Sequence, residues 1–412
     1  MFQSLRNRDF RLIWFSNIFT AFSGQMQYIA RGWLIYDMTR SPMDLTWVML
    51  SYMLPSAVFS LGGGVIADRF SKKSVMVISN LFNAVATAVL AYVIFVGEVT
   101  FWHFIYFGLF NGTVMALGMP ARMSIVPEIV GEENLVNATA LQTGVHNVAC
   151  IMGPVVAGLL IAIFAIDEGG SVVGTAIVMC VIAVLFLLSM FLTMMLSHAG
   201  SPKVQSVTTP TEDIVEGFRL IRKETLVQGL LVIGVFPPML GASVNYLLPA
   251  FNQEIIAGGP DDLGLLTAVT GIGALAGSIL LARLGDAPHK GRLILVSAYG
   301  WAVAMGLFAL SHNIYLAMVA GAMVAFCNSF FGSLSTSVLQ MSVPQSIRGR
   351  VMSVTMMVHA LIPIGVIPVS ALAEFAGIDV ALMTSAGVLV IGLWLLSLRF
   401  PGVGQIDRGY LR

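Results

Sequence analysis

Twelve apolar runs constrain this chain more than any other feature. They lie roughly at 12–36, 45–67, 74–96, 101–119, 138–165 and 171–196, and then at 226–251, 263–284, 293–311, 314–334, 351–373 and 380–398. Each can cross a hydrocarbon core about 30 Å thick as a helix, which takes about 20 residues. The reading is an all-α membrane protein with twelve transmembrane helices in two sets of six. Composition agrees: 57% of the 412 residues are hydrophobic and 10% are charged, with a mean hydropathy of +0.89. A soluble protein of this length carries far more charge.

Charge is balanced in number but not in place. The chain has 21 Lys and Arg against 21 Asp and Glu. All the basic residues except Arg31 and Arg40 fall in segments that the positive-inside rule assigns to the cytoplasm, which makes both termini cytoplasmic. One long hydrophilic connection, 197–224, contains Pro202, Pro210 and mixed charge. It separates an N-terminal six-helix bundle (1–196) from a C-terminal one (225–412), and 212–222 within it can form a short amphipathic surface helix. The first run is too long for a signal-peptide core and has no A-x-A site, so it is expected to stay as a span. Cys150, Cys180 and Cys327 all lie in apolar runs without a C-x-x-C pair and are expected to be small core residues. No basic patch exceeds a short loop, so nucleic acid is not an expected partner.

The halves read as copies of one another. Asp68 and Asp286 are 218 residues apart (286 − 68), as are Lys72 and Lys290, while Pro127 and Pro344 are 217 apart (344 − 127). A near-constant offset across separated landmarks argues for a six-span repeat.

The connection between the second and third runs carries Gly64, Asp68, Arg69, Lys72 and Lys73. Charges at mid-membrane cost several kcal/mol, so this turn sits in water or among headgroups. It resembles the signature loop between helices 2 and 3 of major facilitator superfamily transporters, roughly G-x-x-x-D-R-x-x-[KR]-[KR]. The resemblance implies that fold, and it implies a latch in which Asp68 and Arg69 hold the cytoplasmic side closed against helix 11. In the second copy Ala282 and Ala287 stand at the places of Gly64 and Arg69.

Polar side chains within a span must find partners or line water. Asn17, Gln25 and Gln27 lie on span 1, Asn111 on span 4, and Gln142, His146 and Asn147 on span 5. Asn245, Asn328 and His359 lie on spans 7, 10 and 11, whereas spans 6, 9 and 12 carry no Asn, Gln, His or charge between their ends. By the resemblance, the polar set surrounds a central cavity, and Gln25, Gln27, Asn111, Gln142, His146, Asn245, Asn328 and His359 are its substrate candidates. The plainer reading of any one of them is helix–helix bonding worth about 1 kcal/mol. On span 5, Gly144, Gly153, Pro154 and Gly158 resemble the G-x(8)-G-P-x-x-G-G motif of superfamily antiporters, with Ala157 at the penultimate position. A Pro kink and close Gly packing are expected there, against span 8.

Three further stretches resemble the bacterial branch of enterobactin exporters and drug and macrolide efflux proteins, the transmembrane secretion effectors. They are Gly24-Gln25-Met26-Gln27 with Trp33-Leu34, Tyr36 and Ser41-Pro42; Pro120 through Pro127 with Asn137-Ala138; and Pro344 with Arg348-Gly349-Arg350-Val351. The resemblance implies a secondary transporter that exports a small amphipathic molecule by alternating access. Uptake, or substrate sensing on the same scaffold, is the alternative. Members of this branch often carry Asp where this chain has Gln25. No acid lies deep in spans 1–6, which leaves His146 and His359 as titratable candidates for a proton carrier. Arg31, about 28 Å along span 1, is expected near the outer interface, where it can snorkel. No G-x-x-x-x-G-K-[ST] loop is present, so an ion gradient is the expected energy source. Neither H-E-x-x-H nor a catalytic cluster points to an enzyme. No cofactor or metal is expected; the expected partners are a small-molecule substrate, protons or another ion, and lipid, and the expected state is a monomer.

Overall fold

The computed structural model describes residues 3–165, 170–200, 225–284, 289–343, 351, 355 and 362–404. Among these residues every regular element is a helix. After a 3-10 turn at Gln3–Arg6 come α1 (Arg8–Thr39), α2 (Pro42–Arg69), α3 (Lys72–Phe95), α4 (Phe101–Phe164) and α5 (Gly170–Met194). They are followed by α6 (Thr225–Gly241), α7 (Ser243–Glu254), α8 (Pro260–Leu284), α9 (Lys290–Ala309) and α10 (Ile314–Met341). The last are α11 (Ile362–Ala376), α12 (Ile378–Arg399) and the single turn α13 (Pro401–Gly404). Eight apolar helical stretches are long enough to cross a membrane among the described residues. One of them, α4, contains both the fourth and the fifth predicted runs. It bends at Gly131, whose φ of 70° and ψ of 170° belong to glycine rather than to a residue with a Cβ. The 212–222 stretch, Asp286, Ala287, Pro344 and His359 lie outside the described residues.

The chain forms two compact units: Met1–Gln205 with Gly258–Ala268, and Ser206–Ala257 with Val269–Arg412. In the first, α1 opens on Asn7, whose side-chain oxygen accepts from the amides of Asp9 and Phe10 at 2.9 and 3.2 Å. It closes at Arg40 in the left-handed conformation. Ser71 caps α3, and Thr100 with His103 forms a capping box at the start of α4. Small residues let α4 lie directly on α2. A Cβ at Gly108 would meet the Ser51 hydroxyl at 1.9 Å, and one at Gly112 would meet the Tyr52 carbonyl oxygen at 2.1 Å. A cluster of Phe10, Ile13, Val75, Met76, Ile125 and Val126 closes one end of the bundle.

The second unit is joined differently. Gly273 and Gly277 of α8 face the Ala322 and Phe326 carbonyls of α10, where added Cβ atoms would come within 2.2 and 2.4 Å. Its centre is aromatic, with Phe251 and Phe308 at 4.3 Å and Trp301 and Phe331 at 6.0 Å between ring centroids. On the outside of both units large apolar side chains are exposed, such as Tyr92, Phe95, Trp102, Leu316 and Phe375. Water would not tolerate so continuous an apolar surface, but lipid does. The three cysteines are free, as expected, but they are not core residues: Cys180 is exposed, and Cys150 and Cys327 are only half-buried. On a membrane helix an apolar run predicts lipid contact as readily as core.

Candidate functional site

Arg122 is the hub of the first unit. Fourth-span expectations end at 119 and leave this residue in the cytoplasm, yet α4 continues past Pro120 and carries Arg122 into the bundle. Proline removes only the bond to the preceding turn, so the helix survives it. The signal was present in the sequence: Ala121, Ile125 and Val126 extend an apolar face at helical spacing, and all are buried. Arg122 Nη1 donates to Asn17 Oδ1 at 2.8 Å and Thr20 Oγ1 at 2.9 Å, and Nη2 donates to Asn80 Oδ1 at 3.1 Å. Around it run hydroxyl bonds from Ser189 to Ser16 at 2.7 Å and to Thr20 at 2.9 Å. The Asn80 amide donates to Ser189 at 3.0 Å, and Ser16 meets Thr193 at 3.1 Å. Span 6, bare of Asn, Gln, His and charge, therefore enters the polar core through its hydroxyls, which a census of larger polar groups misses.

Further along α1, Gln27 donates to Thr87 Oγ1 at 3.1 Å, and Asn111 donates to Asn83 Oδ1 at 2.8 Å. Gln27 and Asn111 are fully buried in this interhelical chain. Arg31 lies next to it and is 3% exposed, so it does not snorkel to an interface. Its guanidinium carbon sits 5.0 Å from the Tyr52 ring centre and 5.8 Å from that of Phe107. These are the rings that the α2–α4 contact brings together. Its Nε reaches the Gln27 carbonyl at 3.3 Å, and its buried Nη1 has no hydrogen-bond partner.

A second face of α1 meets the later arm of α4. Gln25 Nε2 donates to Cys150 Sγ at 3.2 Å, and Cys150 Sγ is 3.5 Å from His146 Nε2. His146 is exposed and Gln25 and Gln142 are half-buried, so this trio borders open space on the unit. The glycines nearby differ. A Cβ at Gly153 would meet Gln25 Cβ at 2.7 Å, one at Gly158 would meet the Pro260 carbonyl oxygen at 2.3 Å, and one at Gly144 would meet nothing within 4 Å. Gly264 of α8 returns the contact, 2.5 Å from the Pro154 carbonyl oxygen by the same construction.

Of the signature turn, Gly64 and Asp68 lie in the last turns of α2, with only their backbone described, and Arg69 is exposed with no ion pair among the described residues. Lys72 is buried against Glu128, which also meets His198 Nε2 at 3.3 Å. Lys73 Nζ donates to the Leu196 carbonyl at 2.6 Å, and the amides of Ser197 and His198 donate to Asp9. The two lysines thus tie the end of α5 and the start of α3 to α4. In the second unit Asn245 is exposed and Asn328 half-buried. A groove of about 330 Å³ between α3 and α4 is largely apolar, lined by Phe82, Val89, Tyr106, Phe110 and by Phe107, whose ring also faces Arg31.

An all-helical bundle with lipid-compatible sides and polar residues joined across its helices belongs to the class of multi-pass membrane proteins. The sequence profile described as transmembrane secretion effector matches residues 1–408, and the chain belongs to that family of major facilitator transporters. Macrolide efflux protein A of Streptococcus pyogenes is 25% identical over 408 residues, which cover 97% of each chain. The enterobactin exporter EntS of Shigella boydii is 29% identical over 314 residues, 74% of this chain and 72% of the relative. The fold is similar to that of the nucleoside transporter NupG, with a TM-score of 0.74 and 16% identity over 96% of this chain and 99% of that one. A bacterial homologue of the human lysosomal transporter Spinster gives 0.73 and 15% over 96% and 97%. The chain is a transporter rather than an enzyme, with small-molecule substrates, in the bacterial plasma (inner) membrane.

Proposed function

We propose that this chain is a secondary active exporter of a small amphipathic molecule, of the drug, macrolide or siderophore kind, working by alternating access. The observation that carries this reading is full-length similarity to a macrolide efflux protein, supported by an enterobactin exporter over about three quarters of the chain. The proposed architecture has twelve spans with both termini cytoplasmic: bundles at 1–196 and 225–412 and a linker at 197–224. Gly64, Asp68, Arg69, Lys72 and Lys73 form its cytoplasmic latch, and Gly144, Gly153, Pro154 and Gly158 shape span 5.

Substrate contacts come from Gln25, Gln142 and His146 on the open face of the first unit, with Asn245, Asn328 and His359 from the second. Gln27 and Asn111, being buried, hold the helices that carry them. The coupling ion is a proton. His146 is its leading carrier, because it is exposed and sits beside Cys150 and Gln25. The protein works as a monomer in lipid.

Everted vesicles loaded with a pH-sensitive dye test this directly, using a panel of macrolides, other drugs and siderophores. Substrate uptake into everted vesicles with proton release is expected. Substrate movement that leaves the pH gradient unchanged would remove proton coupling, and transport only in right-side-out vesicles would reverse the direction. His146→Gln and His359→Gln should alter the dependence of efflux on pH, and identical profiles in both would remove the histidine carriers.

A further inference from the structure

The first unit has two guanidinium groups inside it, and among the described residues no carboxylate meets either of them. Its acids are Asp9, Asp37, Asp44, Asp68, Glu98, Glu128, Glu132, Glu133, Asp167, Glu168, Asp261 and Asp262, and every one lies at or beyond the end of an apolar run. Arg122 nevertheless directs its terminal nitrogens to three neutral oxygens. Arg31 does not. It has five N–H donors, of which Nε alone reaches an acceptor at hydrogen-bond distance, and Nη1 is buried with none. Its surroundings are neutral throughout: Gln27, Thr87, Asn83 and Asn111 bond to one another, while Tyr52 and Phe107 offer ring faces.

An arginine does not lose its proton, and an unpaired charge inside a membrane bundle costs several kcal/mol. Ring faces offset part of that through cation–π attraction. They use the flat side of the guanidinium, however, and leave donors at its edge. That edge is the part which grips a carboxylate or phosphate oxygen pair in two parallel bonds. From Thr20, which holds Arg122, to Arg31 is eleven residues of α1, about 16 Å at 1.5 Å per residue. The helix is therefore flanked by positive charge at both ends of the stretch that carries Gln25 and Gln27. In a low-dielectric bundle such a field attracts anions and repels lipophilic cations.

We propose that Arg31 is the anion-recognising residue of the first unit and that the cargo is an amphipathic anion bearing a carboxylate or phosphate-like group. This rests on the exporter reading. With Arg31 3% exposed here, the anion reaches it when α1 parts from α2 and α4.

The test uses the purified full chain and two xanthene dyes of similar size, the anion fluorescein and the cation rhodamine 123. Binding is read by fluorescence polarisation and transport in phosphatidylcholine vesicles. Fluorescein should bind and be transported. Arg31→Gln should weaken its binding about tenfold or more, the loss of a charged hydrogen bond, while Arg31→Lys should keep part of it, and both variants should keep the wild-type melting temperature. Fluorescein affinity unchanged in Arg31→Gln, or no fluorescein binding by the wild type, overturns the proposal. Transport of rhodamine 123 without fluorescein overturns the anionic cargo and leaves the exporter reading standing. Arg31-dependent fluorescein binding without transport of either dye supports the anion site and counts against the exporter reading. Repeating the binding with phosphatidylglycerol present separates the two sources of anion. If that lipid alone displaces fluorescein from wild type and not from Arg31→Gln, the site is a lipid site and the cargo assignment is overturned.

Discussion

Arg122, half-buried, and Arg31, buried, sit in the same bundle, yet their surroundings are opposites. Around Arg122 the donors are matched by Asn17, Thr20 and Asn80, and Thr20 and Asn80 are held in turn by Ser189 of α5, which also meets Ser16. Around Arg31 the packing is aromatic and the guanidinium is left with a donor to spare. The first arrangement locks helices α1, α3, α4 and α5 together. The second holds a charge ready for something that is not part of the chain. The difference teaches that burial alone does not give an arginine its role; the count of acceptors does.

The largest effect should come from Arg122→Leu. It strips a partner from each of three buried neutral groups, Asn17, Thr20 and Asn80, and each one left unsatisfied costs about 1–3 kcal/mol. Little folded protein should survive detergent extraction, and a normal melting curve would show that the cluster is not structural. Next is Gly112→Leu, where even a Cβ would lie 2.1 Å from the Tyr52 carbonyl oxygen. Forcing the helices apart costs about 1–3 kcal/mol or more, and it should also release Tyr52 and Phe107 from Arg31. Unchanged thermal stability and unchanged fluorescein binding would break that link.

Gly158→Leu should impair transport in vesicles more than Gly144→Leu does, because one position faces the Pro260 carbonyl oxygen and the other faces nothing within 4 Å. Equal effects would remove the idea of a tight seam along the span. Ser189→Ala removes the hydroxyl that Ser16, Thr20 and Asn80 share, at about 1–3 kcal/mol for the buried partners left unsatisfied. Arg31→Met should be the mildest for stability, within about 1 kcal/mol of wild type, because removing a buried charge that lacks a full partner set relieves desolvation as it loses ring contacts. A loss as large as that for Arg122→Leu would mean the two regions are alike after all.

Much of this was legible before any coordinates. Apolar length and charge placement gave the membrane class, and Gly64 through Lys73 with the repeat offset gave the superfamily. The Pro-rich 120–127 stretch and the run from Gly24 to Pro42 gave the branch. Gln27 and Asn111 were legible as polar residues in spans, with helix–helix bonding the plainer reading of each, but their partners Thr87 and Asn83 were not, since a single strand of sequence carries no distances. Arg122 was misplaced because the apolar run ends at 119 while the helix continues past it. Arg31 was misplaced because its depth along α1 says nothing about which neighbours cover it.

What the sequence by itself determined is therefore the solvent: a chain with this much apolar length must lie in lipid, and its few charges must be sorted along the membrane normal. What only the tertiary structure decided is the pairing of those charges. Helix position follows from 1.5 Å per residue and can be counted. Whether a buried guanidinium meets three oxygens or two aromatic rings depends on which faces of which helices touch. Here that was set by the lack of a side chain at Gly108 and Gly112, which lets α2 and α4 come together beside α1.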